Sequence, residues 1–308
     1  QGIVAPPNCA NLVGMNDPLV TIIIRSFNEG WALREALAAL SAQDYTNWEL
    51  IVIDSGSTDG SVELIRQAAP RHFIQIRPHD YNPSAVMNRG MQLARSEIAV
   101  FLNADATPQG PHWLRPLVSL LQDPFTAAVF GRQIPRPGCR AVFWHDYDRC
   151  FGSKRDSAQW EHFFSMVSSG LRKDIWSQRG FLEAMQYSED DEYTLWCRAQ
   201  GYRVLYCPES VVAHSHNYTP VQAYKRSFGE ARALAAVWNS SPAEINWPRT
   251  VLLGWINDVR RDFGFCARHG LLAEWKHAAQ IRWQQRRARL DGFREGWKFY
   301  RNDEAIYH

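Results

Sequence analysis

The 308-residue sequence lacks several features that assign a protein to a class at once. No apolar run, including the β-branched run at 20–24, approaches the roughly 20 residues that cross a bilayer. The six cysteines form no CxxC pair, which argues against a zinc knuckle or redox dithiol and favours a reducing, cytoplasmic compartment. No loop ends in GKS or GKT, so a P-loop is excluded. The N-terminus shows no basic start, and we expect no secretory signal.

The charge is near zero overall but unevenly distributed. Residues 221–308 contain 15 Lys and Arg against 9 Asp and Glu, whereas residues 1–220 contain 19 against 23. Tryptophans accompany the basic residues of this tail at positions 238, 247, 255, 275, 283 and 297.

Three interpretations of the tail stay open. It can be packed helices whose Arg stems cover apolar surface, a face for an anionic membrane, or a nucleic-acid patch with stacking aromatics. Because the surplus of positive charge is modest, we expect packing with added peripheral membrane contact, and no nucleic acid.

Residues 18–135 alternate strand and helix patterns. Four runs rich in β-branched residues lie at 18–27, 48–56, 72–78 and 97–105. Such continuous runs are typical of a parallel sheet covered on both faces. Leu33, Leu37 and Leu40 predict a helix after the first run, and Asp59 is the expected N-cap of the next helix. The alternation predicts a doubly wound α/β domain with its site at the carboxyl ends of the strands.

Polar segments follow three of these runs, namely SFNE, DSGSTDG and NADATP. Asp54 can accept hydrogen bonds from a nucleobase or ribose, although its segment also suits a plain strand-to-helix turn. Asp105 can share a divalent cation with a diphosphate or can cap the next segment, and we favour the cation.

The segment 188–217 places an acid cluster before a strand that ends in two histidines. The helix dipole accounts for two of the four carboxylates at 189–192, but four repel one another, so we expect one to act as a general base. His214 and His216 are two residues apart, so they face the same side of a strand, and imidazole suits Mn²⁺ or Zn²⁺.

Taken in order, these segments resemble the family 2 glycosyltransferases, which are inverting enzymes of GT-A fold. The resemblance covers residues 18–217 and depends on the order of TIIIRSFNE, DSGSTDG, SAVMNRGMQLARSEIAVFLNADATP, SEDDE and VVAHSH. Within the family, FLNADATP, FFSMVSSGLRKDIW and AHSHNYTPVQAYKRSFGEA are most similar to bacterial rhamnosyltransferase-like members. The implied fold is α/β: a Rossmann-like, mostly parallel sheet with helices on both faces, plus a C-terminal helical extension.

The resemblance also implies a role for each matching residue. The nucleotide-sugar would contact Ser26, Asn28, Glu29, Asp54, Ser57, Asn88, Arg89, Asn103 and Ala104. The divalent metal, Mn²⁺ or Mg²⁺, would be held by Asp105, His214 and His216. Asp190 would be the general base, with Glu189 beside it. The acceptor would meet the aromatic segment 136–187 through Trp144, Ser169, Gly170 and Trp176.

One position departs from the family pattern. Asn103 stands where the DxD motif begins with an aspartate. A neutral amide can still hydrogen-bond a ribose but brings no charge to a cation, which weakens the expected metal affinity.

We therefore divide the chain into an extension (1–17), a GT-A catalytic domain (18–217) and a basic helical region (218–308). The catalytic domain has a nucleotide-sugar half (18–135) and an acceptor half (136–217). The expected reaction moves a hexose, such as rhamnose, from a dTDP- or UDP-linked donor to a saccharide or lipid-linked acceptor. We expect it in bacterial surface glycan synthesis, in the cytoplasm at the inner face of the membrane.

Two other classes remain as alternatives. A sugar-nucleotide pyrophosphorylase would need a glycine-rich basic loop near the first strand, where this chain has SFNEG. A non-catalytic nucleotide-sugar-binding module would keep the nucleotide turns but would need no base.

Overall fold

The computed structural model describes residues 17–153, 163–237 and 245–301. The predicted N-terminal extension therefore lies outside the described residues except for its last residue, and so does Trp238 of the tail.

Within these ranges eight strands belong to one sheet. They are β1 (Val20–Ser26), β2 (Trp48–Asp54), β3 (His72–Gln75), β4 (Ile98–Asn103), β5 (Thr107–Pro108), β6 (Thr126–Ile134), β7 (Ser168–Arg172) and β8 (Arg203–Ala213). Their order across the sheet is β3–β2–β1–β4–β7–β6–β8–β5. Strands β1 to β4 pair in parallel, β7 runs antiparallel to both of its neighbours, and β8 is parallel to β6. The predicted α/β fold with a mostly parallel sheet is confirmed.

Helices accompany the sheet and then form the C-terminal region. The α-helices are α1 (Gly30–Ser41), α2 (Ser61–Gln67), α3 (Pro83–Leu93), α4 (Leu114–Leu121), α5 (Ala141–Cys150), α6 (Lys173–Trp176), α7 (Glu189–Ala199), α8 (Pro220–Val237), α9 (Gly254–Arg268) and α10 (Trp275–Arg301). A π-helical turn, Pro248–Leu253, leads into α9. In the described part of the chain, no helix has both the length and the apolar composition to cross a membrane.

The two faces of the sheet carry two separate hydrophobic clusters. Ile22 and Ile24 of β1 pack with helices α1, α2 and α4, whereas Ile23 between them packs with α3 and α7. Because successive side chains of a strand alternate between faces, a strand covered on both sides must be apolar throughout. This is why β1, β2 and β4 are visible in the sequence as unbroken apolar runs.

The predicted N-cap of the second helix is wrong by one residue. Gly60, with a φ of 92°, holds the N-cap position of α2. The Asp59 carboxylate instead accepts hydrogen bonds from the backbone N–H groups of Ser61 and Gly30. Asp59 therefore ties the start of α2 to the start of α1, so the turns after β1 and β2 are held together.

The C-terminal helices pack on one another and on α5. Residues 292 and 296 of α10 meet residues 228 and 232 of α8, so these helices run side by side in the same direction. Arg282 of α10 is buried and donates hydrogen bonds to Asp146 of α5 and Asp262 of α9. Trp255 and Trp283 meet edge to face at 5.6 Å. Packing, the default interpretation of the tail, accounts for these tryptophans.

Candidate active site

A cavity of about 330 Å³ opens where β1 and β4 end. The pairing sets Arg25 opposite Asn103, which brings the two carboxyl ends together. The lining is formed by Arg25, Ser26, Phe27, Glu29, Ser55, Pro78, Tyr81 and Asn103. The structure thus brings three predicted nucleotide-sugar residues, Ser26, Glu29 and Asn103, into one cavity. The buried Ser26 hydroxyl has no hydrogen-bond partner within the described residues, so it is available to a ligand.

The buried carboxylate of Asp54 stabilises the turn after β2 by accepting hydrogen bonds from residues of the turn. Asp54 is fully buried, and its carboxylate accepts from the N–H groups of Gly56 and Ser57 at 3.0 and 2.9 Å and from the Ser57 hydroxyl. The Ser57 hydroxyl also accepts from the N–H of Asn28, whose φ is 55°. The Asp54 carboxylate therefore shapes the turn, and its direct contact with the nucleotide stays a prediction.

Three further predicted nucleotide contacts lie away from the cavity lining. The buried Asn88 side chain donates to the carbonyl of Phe181 and accepts from the N–H of Phe181 and from Trp176 Nε1. Its amide is thus used to join α3 to the segment after α6, not to reach a base or diphosphate. Ala104 lies fully buried in the core. Arg89 is exposed on α3.

The four predicted acceptor residues lie on three different elements, and their contact with an acceptor stays a prediction. Ser169 and Gly170 lie fully buried in β7, paired on both sides with β4 and β6. Trp144 on α5 packs edge to face on Phe265 of α9 at 5.4 Å. Trp176 is committed to its hydrogen bond with Asn88. Ser169 and Gly170 offer no surface to a sugar, whereas Trp144 and Trp176 are half-buried. Small residues in a buried strand resemble a loop in sequence.

Asp105, His214 and His216 converge beside the strand ends, with potential ligand atoms within 4.8 Å of one another. Asp105 Oδ2 lies 3.4 Å from Nε2 of His214 and 3.1 Å from Nε2 of His216. Asp105 follows β4, and the two histidines follow β8. Strands β7 and β6 lie between β4 and β8 in the sheet. The sheet therefore assembles the cluster from segments that are distant in sequence.

The donor set of this cluster fits a divalent cation. His214 Nδ1 lies 2.9 Å from Gln133 Oε1, an acceptor, and 3.0 Å from the Tyr147 hydroxyl. We assign the proton to Nδ1, which leaves a lone pair on Nε2 facing Asp105. Burial lowers the pKa of His214, so the ring is neutral at pH 7. Two acceptors then face each other: both Asp105 carboxylate oxygens and His214 Nε2 are buried without a hydrogen-bond partner in the described part of the chain. Such groups are costly to bury unless a cation or proton lies between them, and the outer hydrogen bond is typical of a metal-bound histidine.

Arg136 holds the cluster's backbone in place. Its guanidinium donates to the backbone oxygen of Asp105 and to the Thr107 hydroxyl, both at 2.8 Å. The backbone N–H of Arg136 donates to the hydroxyl of Ser215, the residue between the two histidines. Arg136, which follows β6, thus holds the segment after β4 against the segment after β8. In the sequence its only signal was that an arginine follows a strand.

The acid cluster begins α7, where Asp190 is half-buried. Its carboxylate accepts from the N–H of Met166 at 3.3 Å and of Asp191 at 3.0 Å, which orients both oxygens. Burial raises the pKa of Asp190 above its ordinary value. Burial and the charge of Asp190 raise the pKa of Glu189 to about 7. Glu192 is bound by Arg179 and forms a structural ion pair, whereas Glu189 and Asp190 remain as the candidate carboxylates of a site.

Comparison with known proteins decides the family. The family model of glycosyl transferase family 2 matches residues 21–180, more than half of the chain. This chain belongs to glycosyl transferase family 2. It is 31% identical over 220 residues to the O-antigen chain rhamnosyltransferase RfbN of Salmonella typhimurium, covering 68% of this chain and 70% of that protein. The O-antigen chain rhamnosyltransferase WbaN of Salmonella anatum is also 31% identical, with the same coverage.

Solved structures agree with this family at the level of the fold. The mannosyltransferase PcManGT from Pyrobaculum calidifontis, in complex with GDP-Man and Mn²⁺, has a TM-score of 0.60 at 18% identity. That likeness covers 99% of this chain and 80% of PcManGT. Residues 1–349 of S. aureus TarS, in complex with UDP-GlcNAc, give a TM-score of 0.50 at 14% identity, covering 92% and 91%. The glycosyltransferase assignment decides against the pyrophosphorylase and the non-catalytic module.

Two arginines of this glycosyltransferase site were missed in the sequence. Arg25 Nη2 donates to Asn103 Oδ1 at 2.8 Å, and the charge of Arg25 lowers the pKa of Asp190 and Glu189 against the effect of burial. Arg25 ends an apolar strand, and an arginine at that position was the available signal.

Arg226 reaches the metal cluster from α8. Its Nη1 donates to the Tyr218 hydroxyl at 2.9 Å, and the Tyr218 ring stacks on His216 with centroids 5.3 Å apart. Its Nε donates to Glu230 at 2.8 Å. Arg226 could not be singled out in the sequence, because the tail contains many other basic residues.

Proposed function

We propose that this glycosyltransferase moves a hexose from a nucleotide diphosphate-sugar to a hydroxyl of a saccharide or lipid-linked saccharide, in bacterial surface polysaccharide synthesis. The likeness to two O-antigen rhamnosyltransferases favours rhamnose as the sugar. The donor in this proposal is dTDP- or UDP-linked. The nucleotide-sugars bound by PcManGT and TarS support this class of donor. An acceptor carried on a lipid would place the enzyme at a membrane surface.

The observation that carries the proposal is the oriented Asp190 carboxylate at the start of α7, within the electrostatic influence of Arg25 at the nucleotide cavity. Asp190 takes the proton of the acceptor hydroxyl, and that oxygen forms a bond to the anomeric carbon. The bond from this carbon to the diphosphate oxygen breaks, and the nucleoside diphosphate leaves with the electron pair. A single displacement with the attacking and leaving oxygens on opposite faces inverts the anomeric configuration.

Cations surround the expected position of the diphosphate. Asp105, His214 and His216 would hold a divalent metal, and their mixed oxygen and nitrogen donors suit Mn²⁺ better than Mg²⁺. A bound metal neutralises part of the charge that develops on the leaving group. Arg25 and Arg226 add fixed positive charge of their own, which stabilises the same oxygens. Arg25 also bonds Asn103, the neutral residue of the DxD position, and so remains free of an ion pair there.

Substitution Asp190→Asn tests the proposal. The amide keeps the size of the side chain but removes the base, so transfer should fall about 10²–10⁴-fold while donor binding persists. Transfer is measured as release of nucleoside diphosphate from a panel of dTDP-, UDP- and GDP-sugars with a saccharide acceptor extract. NMR of the product's anomeric centre tests inversion.

Asp191→Asn is the matched control, because it makes the same change one residue further along α7. It should retain most of the activity. Equal activity of Asp190→Asn and wild type would remove Asp190 as the base.

A further inference from the structure

The exposed large apolar side chains are concentrated in one short segment. Of the twelve among the described residues, six lie between positions 247 and 272: Trp247, Leu252, Leu253, Ile256, Phe263 and Leu272. Leu253 is 59% exposed and Phe263 is 48% exposed. Isolated exposed apolar residues are ordinary, but a contiguous set marks an interaction surface.

These side chains share one face of a helix. Leu253, Ile256, Arg260 and Phe263 recur at intervals of three and four residues through the π-turn and α9, so they lie in one line. The opposite face of the same helix is buried through Val251, Asp258, Asp262, Phe265 and Cys266. We call the line of Leu253, Ile256, Arg260 and Phe263, with the adjacent Leu252, the outer face of α9.

Charge is sorted between the two sides of the helix. Asp258 and Asp262 point inward, where they bind Arg286 and Arg282 of α10. The exposed charged residues of the segment are all arginines: Arg249, Arg260, Arg261 and Arg268. The sequence of α9 is nearly balanced in charge. Its exposed surface is positive because both aspartates are buried in ion pairs with α10.

We infer that the outer face of α9 lies on an anionic lipid surface. Apolar side chains in line, flanked by arginines, match the depth profile of a bilayer interface, where apolar groups enter the acyl boundary and cations meet headgroups. A second copy of this chain fits the face less well, because an isologous contact would set Arg260 and Arg261 against the same arginines. The inference deepens the proposed function, since a lipid-linked acceptor requires an enzyme at that surface.

Flotation with vesicles tests the inference without using catalysis. Full-length protein should float at low salt with vesicles of mixed phosphatidylcholine and phosphatidylglycerol, and much less with phosphatidylcholine alone. Each basic residue near an anionic surface changes partitioning by about fivefold, so Arg260→Gln with Arg261→Gln should weaken it roughly 25-fold. Leu253→Ser with Phe263→Ser should abolish flotation, because it removes the apolar anchors.

Matched controls carry the same chemical changes elsewhere. Arg34→Gln with Arg66→Gln removes two exposed arginines from α1 and α2, and Phe125→Ser with Val221→Ser removes two exposed apolar residues. Both controls should float like wild type. The inference is overturned if wild type stays at the bottom, or if the controls lose flotation as the face variants do. Light scattering that shows a dimer in wild type and a monomer in Leu253→Ser with Phe263→Ser would assign the face to a second copy instead.

Failure of this inference and of the proposed function are separate outcomes. Nucleoside diphosphate release is measured with detergent-solubilised acceptor, where the face variants should retain wild-type rates. Loss of flotation with retained transfer supports the membrane face. Flotation of a protein with no transferase activity would leave the face intact and reject the function.

Discussion

The Asp105 carboxylate faces the lone pair on His214 Nε2, at a position where a hydrogen-bond donor would be expected. Both of its oxygens are buried without a hydrogen-bond partner in the described residues, and His214 is held with its proton on the far nitrogen by Gln133. Burying an acceptor against an acceptor costs stability unless a cation is shared. A cation bound here would therefore stabilise the protein more than one bound at an ordinary surface cluster of acids.

Substitution Asp105→Asn should separate metal binding from folding. The new amide can donate to His214 Nε2, so without metal the variant should be more stable than wild type by about 1 kcal/mol. Mn²⁺ at about 100 times its dissociation constant should stabilise wild type by about 2.7 kcal/mol and the variant hardly at all. Thermal unfolding with and without Mn²⁺ measures both effects. Asp80→Asn, an exposed acid paired only at the surface, is the control, and equal Mn²⁺ responses of Asp105→Asn and wild type would contradict the assignment.

At the scale of elements, the strands differ in how visible they are in sequence. The predicted runs contain β1 to β4, and β1, β2 and β4 are the clearest because they are apolar on both faces. Strand β7, SSGLR, could not be predicted from its residues, since serine and glycine are poor strand formers. Its place is fixed by its neighbours: a side chain at Gly170 would meet Leu121 Cδ1 at 2.4 Å. The prediction that Ser169 and Gly170 meet an acceptor, although both are buried in β7, has the same origin.

The site shows the same division between local and tertiary information. The convergence of Asp105, His214 and His216 was predictable, because each follows a strand with a clear pattern. Arg25, Arg136 and Arg226 were not, because an arginine's partner is set by tertiary packing and not by its neighbours in the chain. The sorting of acids inward on α9 is invisible in composition for the same reason.

Two glycines determine how closely α8 and α10 approach. A Cβ at Gly292 would lie 2.3 Å from the backbone oxygen of Phe228, and one at Gly296 would lie 2.1 Å from that of Arg232. Gly296→Ala should therefore force the helices apart and destabilise the protein by about 1–3 kcal/mol. Urea unfolding measures the change.

Gly264→Ala is the matched control within α9, where a Cβ would meet nothing within 4 Å. In that open helical position alanine should stabilise the protein by up to about 1 kcal/mol. Equal effects of the two substitutions would show that helix propensity, not close packing, sets the cost.

At the scale of the whole molecule, one buried ion network joins α5 to helices α9 and α10 of the C-terminal region. Arg282 donates to Asp262 at 2.8 Å and to both oxygens of Asp146, and His145 lies 2.6 Å from Asp262. The network spans α5, α9 and α10. Breaking a buried ion pair by removing one partner leaves the other charge without compensation.

Arg282→Met should accordingly destabilise the whole chain by about 3–5 kcal/mol, because Asp262 is left buried beside an apolar side chain. Tryptophan fluorescence and far-UV circular dichroism should report one shared urea transition, displaced to lower urea. Arg287→Met, an exposed position of the same helix, should leave the midpoint nearly unchanged. Two separate transitions would show that the helical region unfolds independently.

The position of the metal ligands along the chain has a consequence for synthesis on the ribosome. Asp105 and His214 are separated by about 110 residues, and β8 must be in place beside β6 before the histidines stand opposite the aspartate. A nascent chain that has completed β1 to β4 already holds Arg25, Ser26 and Asn103 of the nucleotide cavity, but it has no complete metal cluster. If the cluster holds a metal as proposed, only chains that have finished the sheet would bind it, and a prematurely released fragment would carry Asp105 without the imidazoles that complete the cluster.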